Sequence, residues 1–233
     1  MNLKLWTGAL ALGLLLFALT PVSSAAVIGT LRIGSDGQVI VDQDTIDFQP
    51  PAGLNDGPII TTDDTLTYNN GTTLAIGETG RIKDLDFVIA PPPVMEWLTF
   101  DNIPELDFHL GSLGAGSSNT NCAGLAIGQS CSVFAGSPFV LTRTATGTAV
   151  SLTVFGTVTD ATAISSNFIG TLSNPLTGRT PESIQTNILA GGSETSPFSG
   201  DFVVTVIPEP GTISMLLGGG LLLALGGRRL RRS

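Results

Sequence analysis

Residues Ala149 to Thr159 read AVSLTVFGTVT, and Val150, Leu152, Val154 and Val158 all fall on one parity. A side-chain period of two is the signature of a strand with one buried face, and no helix can hide such a row. The rest of the middle of the chain repeats the theme. Short runs rich in Val, Ile, Thr and Phe are broken by clusters of Gly, Pro, Asn and Asp, the alternation of strands and turns. This patterning predicts strands near 27–33, 38–48, 64–68, 73–76, 81–89, 96–101, 106–110, 131–134, 139–145, 148–158, 164–172 and 198–207. Many short strands at regular spacing imply an all-β domain, a β-sandwich or jelly-roll-like pair of sheets. A break into two parts is expected near 112–121.

One segment departs from the strand pattern. Thr180-Pro181-Glu182 supplies a capping hydroxyl, a proline suited to the first helical position and an acid in the first turn. Ile184, Ile188 and Leu189 then fall on one face and Gly191-Gly192 follows, so a short helix is expected near 181–190.

The two ends of the chain are of another kind. Lys4 precedes an apolar run from Leu5 to Leu19, Pro21 ends it, and Ser23-Ser24-Ala25-Ala26 offers small residues for cleavage. That is the layout of a secretory signal peptide, with residues 1–25 removed by signal peptidase after passage through the Sec export machinery. At the other end Thr212 to Gly227 is uncharged, and Arg228, Arg229, Arg231 and Arg232 follow at once. As a helix this run reaches ~24 Å, slightly short of the hydrocarbon layer, a mismatch that flanking residues can cover. The arginine cluster resists translocation, so the expected helix 212–227 holds the chain in the inner membrane with residues 26–206 outside.

Directly before that span stands Pro208-Glu209-Pro210. A Pro-Glu-Pro tripeptide, an apolar helix and an arginine-rich end, in this order and spacing, resemble the PEP-CTERM sorting signal of exopolysaccharide-producing Gram-negative bacteria. The resemblance covers residues 207–233. It implies recognition by an exosortase, a membrane-embedded cysteine protease, cleavage near the tripeptide, and delivery to the cell surface or extracellular matrix, with exopolysaccharide as a partner there.

Between Ala26 and Pro210 only Arg32, Arg81, Lys83, Arg143 and Arg179 oppose all 19 acids, a net charge of −14. Such a surface repels nucleic acid and anionic lipid. Fourteen of the acids lie between Asp36 and Asp107. The only two cysteines, Cys122 and Cys131, read as a disulfide in an oxidising compartment. The competing view is a metal site, for which two thiols and the single His109 supply too few ligands unless carboxylates join. The stretch from Asn121 through Cys122, Gly128, Ser130 and Cys131 to Val133 is similar to the cysteine hairpin of bacterial extracellular Ig-like domains, of the choice-of-anchor and Hydin types. Counting Thr146-Gly147-Thr148 and the strand after it, the likeness spans 121–160. It implies a spacer or adhesive module, and departs from those domains at Phe134 to Phe139.

Chemistry is harder to find. A Ser-His-acid hydrolase needs a histidine base, and His109 lies in Leu106-Asp107-Phe108-His109-Leu110, where alternation puts it opposite Phe108, on the polar side. Glu96, Asp101, Glu105 and Asp107 are the carboxylates from which a glycosidase pair would be drawn. Asp42, Asp44 and Asp47, with Asp63-Asp64, are the candidates for a loose calcium site, although the helix-loop-helix calcium pattern fails on its glycine and glutamate positions. Trp97 and Tyr68 are the residues suited to stacking on a sugar ring, and core anchoring is the competing role of Trp97. The sequence therefore favours a non-enzymatic exported surface or matrix protein without a cofactor. The alternatives are a carbohydrate-binding module and, after it, a small secreted hydrolase.

Overall fold

A computed structural model describes residues 26–35, 37–49, 56–63, 65–88 and 91–207. The expected signal peptide, the 212–227 helix, Pro208, Glu209, Pro210 and the four terminal arginines lie outside the described residues, as does Asp64.

The strands, in chain order, are β1 (Gly29–Ser35), β2 (Gln38–Val41), β3 (Thr45–Gln49), β4 (Asp56–Thr61), β5 (Thr67–Tyr68), β6 (Thr72–Thr73), β7 (Thr79–Lys83) and β8 (Leu85–Asp86). They continue as β9 (Val94–Phe100), β10 (Ile103–Leu113), β11 (Ser130–Cys131), β12 (Phe139–Arg143), β13 (Gly147–Thr159), β14 (Ser166–Thr177), β15 (Glu194–Ser196) and β16 (Ser199–Val206). One helix, α1 (Pro181–Leu189), precedes β15 among the described residues.

All pairings are antiparallel, and eight strands close a ring. Each of β1, β4, β7, β9, β10, β13, β14 and β16 is hydrogen-bonded to the next, and β16 returns to β1. This is an up-and-down barrel, which leaves no edge in the ring. The jelly-roll expectation is corrected here: its crossovers do not occur, because ring neighbours follow one another in the sequence. The two-layer expectation holds at one end only. Thr148 to Leu152 pair with β12, whereas Val154 to Thr159 pair with β10, so β13 carries the sheet out of the ring. A second sheet, in the order β15-β2-β3-β8, lies over that extension. Val39, Ile46 and Phe48 of the small sheet face Phe139, Val150, Leu152 and Leu172 across the gap.

An eight-stranded barrel has an interior just wide enough to be filled by side chains. Here the filling is aromatic. Trp97 stacks on Phe168 with ring centroids 6.4 Å apart, and Phe108, Phe168 and Phe202 meet pairwise at 5.3 to 6.2 Å. The rings need space, and glycines on the neighbouring strand supply it. Gly156 is the register partner of Phe168, and Gly170 that of Phe202. A Cβ on Gly170 would stand 2.2 Å from Phe202 Cδ1, so each ring lies flat over a bare backbone.

Other differences from the sequence reading have local causes. The run 38–48 divides because Asp42 builds a tight turn: its carboxylate accepts from the Asp44 and Thr45 amides at 2.8 and 2.6 Å and from the Thr45 hydroxyl at 3.0 Å. β4 lies outside the strands that the patterning predicts, since its Gly57 and Pro58 weaken the strand signal. A Gly57 Cβ would meet Phe48 Cβ at 2.4 Å, so that glycine admits the crossing of β3. The helix is found where its cap predicts, with Thr180 and Ser183 forming a reciprocal capping box. Ile184 and Ile188 are buried, but Leu189 is 54% exposed and does not belong to the buried face.

Candidate functional site

The barrel has two unlike poles. At the first, the register Gly29↔Val204 brings the beginning and the end of the described chain together. The hairpin of β5 and β6 crosses this pole. Its Asn69, at φ 44, donates its amide to Asp160 Oδ2 at 2.6 Å and its side-chain amide to Glu105 Oε1 at 2.8 Å. Asp160 is buried and also accepts from the Thr162 amide at 2.9 Å, so one carboxylate ties the hairpin to the β13–β14 turn. Asp160 was not singled out by sequence. Its signal, an acid directly after a long apolar strand, is that of any turn.

The second pole carries the extension of β13, the small sheet, α1 and the disulfide loop. Cys122 and Cys131 are joined, both buried, with Cα atoms 5.3 Å apart. Gln185 of α1 fastens both sides of that loop: its side-chain amide donates to the Thr120 and Val133 carbonyls, each at 2.8 Å. Between α1, β12 and the small sheet opens an apolar crevice lined by Val41, Phe134, Phe139, Leu176, Ile184 and Ile188. Glu194 stands in its wall, ion-paired to Arg179 and accepting from Asn187 Nδ2 at 2.9 Å. Asn174 donates to Ser196 Oγ at 3.3 Å beside it. The free space of the crevice is about 20 Å³, room for a water rather than for a small ligand. Its lining holds no histidine or cysteine, and its tight apolar walls pack α1 against β12 and the small sheet.

The residues picked out by sequence do not gather into one site. Trp97 has no exposed surface, and its indole N–H, among the described residues, finds no hydrogen-bond partner. It cannot stack on a glycan, which corrects its candidacy. Tyr68 is half-buried on the β5–β6 hairpin, and burial, then the charges of Glu105 and Glu78, raises its phenol above the usual range. Of the four glycosidase candidates three have partners of their own, while Asp107 lies within reach of the charges of Glu96 and Glu105. Glu96 faces Lys83 at 3.6 Å, Asp101 accepts from Thr79 Oγ1 at 2.8 Å and faces Arg81 at 3.6 Å, and Glu105 is bound by Asn69. His109 Nδ1 accepts the Glu96 amide at 2.9 Å, which supports the irregular backbone of Glu96 at φ 49. That is a structural use of its ring.

For calcium, Asp42 is engaged in its own turn, where burial raises its pKa but the bonds from Asp44 and Thr45 outweigh it and hold it below 3.8. Asp63 pairs with Arg32 at 2.7 Å. Asp44 follows Asp42 in the turn, while Asp47 sits on β3 opposite Ile40. Among the described residues no group of three or more acids, histidines or cysteines is placed to hold a metal ion.

Two expected results arise here. Replacing Cys122 and Cys131 with serine removes the cross-link of a loop with sequence separation 9. On chain entropy this should cost about 2.7 kcal/mol, read as a lower urea midpoint that reductant reproduces in the wild type. Asp107 has its pKa raised above 3.8 by burial and then by the Glu96 charge, with His109 and Lys83 opposing. The folded state therefore binds its proton more tightly than the unfolded chain, and the stability this gives is lost as pH rises through the folded pKa. Asp107→Asn should melt above the wild type at pH 7, and the difference should close below pH 3.8.

Compared with family models, with characterised proteins and with solved structures, the chain matches none.

Proposed function

We propose that this chain is an exported, non-enzymatic protein of the cell surface or extracellular matrix, sorted through the C-terminal signal of residues 207–233. The observation that carries the reading is the register Gly29↔Val204. It places the start and the end of the barrel at one pole, so an N-terminal leader and a C-terminal membrane segment would leave the domain on the same side. The opposite pole, with the disulfide loop and the crevice, would then face away from the membrane. The Cys122–Cys131 bond suits an oxidising compartment. The likeness of residues 121–160 to extracellular spacer modules points the same way. A barrel filled by aromatic rings is a rigid body to display.

The test is to express the full chain in an exosortase-bearing host and to weigh the products by mass spectrometry. The wild type should lack residues 1–25, be cut near Pro208-Glu209-Pro210 and reach the surface or medium. A variant with alanine at all three positions should stay whole in the inner membrane. Recovery of the uncut chain, leader attached, from the cytosol would overturn the proposal. The carbohydrate-binding alternative no longer has Trp97 to use, and Tyr68 alone is a weak platform.

A further inference from the structure

Strand β9 carries more chain than its neighbour needs. From Phe108 to Leu110 β10 advances two residues, while their partners on β9 run from Leu98 back to Val94, four residues. The surplus forms a bulge, and Glu96 stands in it at φ 49, a left-handed conformation costly for a residue with a Cβ. The bulge changes what points inward. Leu98 and Phe100 are buried by alternation, and Trp97, of the opposite parity, is buried as well, while Met95 is 63% exposed. In a regular strand Trp97 would share the outer face with Met95 and Thr99. The aromatic centre of the barrel thus depends on the backbone of Glu96. Two side chains brace that backbone. Lys83 Nζ donates to the Met95 carbonyl at 3.0 Å, and the Glu96 amide donates to His109 Nδ1 at 2.9 Å. A backbone N–H can only donate, so Nδ1 carries no proton and the imidazole is neutral in this arrangement.

We infer that His109 is a proton-operated latch on the barrel core: a proton placed on Nδ1 withdraws the acceptor from Glu96, releases the bulge and frees Trp97 from its packed position. Histidine is the side chain whose charge ordinarily changes between about pH 5 and pH 8. A protonated Nδ1 sets donor against donor, and Lys83, itself a donor, cannot replace the lost acceptor. The imidazolium has other partners to turn to. Glu96 on β9 and Glu105 on β10 are the acids grouped with His109 about Asp107, and Lys83 of β7 opposes them. On the other side of β10, β13 offers Thr157 in register with His109 and no charge at any position. Without its acceptor the left-handed Glu96 returns to the extended form. Side-chain direction alternates along a strand, so that change carries Trp97 with it. The latch stands on backbone geometry and does not rest on the sorting signal.

The test uses the full chain in mild non-ionic detergent, with Trp6→Phe so that Trp97 is its one tryptophan. From about pH 8 to about pH 5 the Trp97 emission should shift to the red. Over the same range the Trp97 amide should exchange at least about tenfold faster relative to its intrinsic rate, with far-UV circular dichroism retained. His109→Asn keeps an acceptor oxygen in the place of Nδ1 without a titrating ring, and should hold the emission fixed. His109→Ala should give the red-shifted signal at every pH. His109 is the chain's single histidine, so nitrogen NMR reads it directly and should find Nδ1 unprotonated and Nε2 protonated at about pH 8. That measurement and His109→Asn decide the matter even where His109→Ala fails to fold. An emission unmoved by pH, a native signal from His109→Ala or a proton on Nδ1 at about pH 8 overturns the inference. So does a transition that persists in His109→Asn, which would assign the titration to Asp107.

Discussion

Trp97→Ala is expected to lower the stability of the barrel sharply rather than to silence an intact binding protein. The indole is wholly buried and touches both Phe168 and Phe202 at the centre of the barrel. Truncating such a side chain costs about 3–5 kcal/mol, against a total stability of about 5–15 kcal/mol for a domain. Trp97→Phe separates volume from polarity. It keeps an aromatic ring in place and removes an N–H that has no partner, so it should cost less than about 1.5 kcal/mol. Urea denaturation of both variants decides the matter. A native-like midpoint for Trp97→Ala would mean that the barrel is not built around this ring.

The comparison of these two variants shows what the sequence could reveal. Trp97 in Val94-Met95-Glu96-Trp97-Leu98 sits on a strand, but a strand has two faces, and a lone Trp does not say which is inside a ring. The parity of Val150, Leu152, Val154 and Val158 did say so, since four residues vote together, and β13 lies where they place it. The helix was legible for a similar reason: Thr180, Pro181 and Gly191 act locally, within one turn of their own positions. Closure of the ring was not legible. It depends on β1 meeting β16 across the whole chain, and nothing in GTLRIGS names its partner. The candidate site shared this fate. Glu194, Gln185 and Asn174 line or brace the second pole only because the extension of β13 brings β14, α1 and β15 together there. Conversely, acids crowded in sequence, such as Asp42, Asp44 and Asp47, were spent on a turn and a strand rather than assembled.

Glycines inside strands carry a further signal, because a glycine there often marks a close approach. Gly170→Val should therefore be among the most damaging single changes in the chain. Its Cβ would lie 2.2 and 2.6 Å from Phe202 Cδ1 and Cε1 and 3.0 Å from Val154 Cγ2, so the Phe202 ring must leave its place. Overpacking of this kind costs about 1–3 kcal/mol, and displacing the ring adds part of the roughly 3–5 kcal/mol that its truncation would cost. The obstacle at Gly170 is side chain alone, which makes the effect reversible in a second variant. With Phe202→Ala in the same chain the new valine gains room, and the pair should cost about 1–3 kcal/mol less than the sum of the two single changes. Gly156 provides the contrast. Its Cβ would also meet a ring, Phe168, but stands 2.1 Å from the backbone oxygen of His109 as well. Truncating Phe168 leaves that collision in place, so Phe168→Ala should not rescue Gly156→Val. Equal rescue at both positions in thermal melts would refute the view that backbone approach holds one glycine and aromatic packing the other.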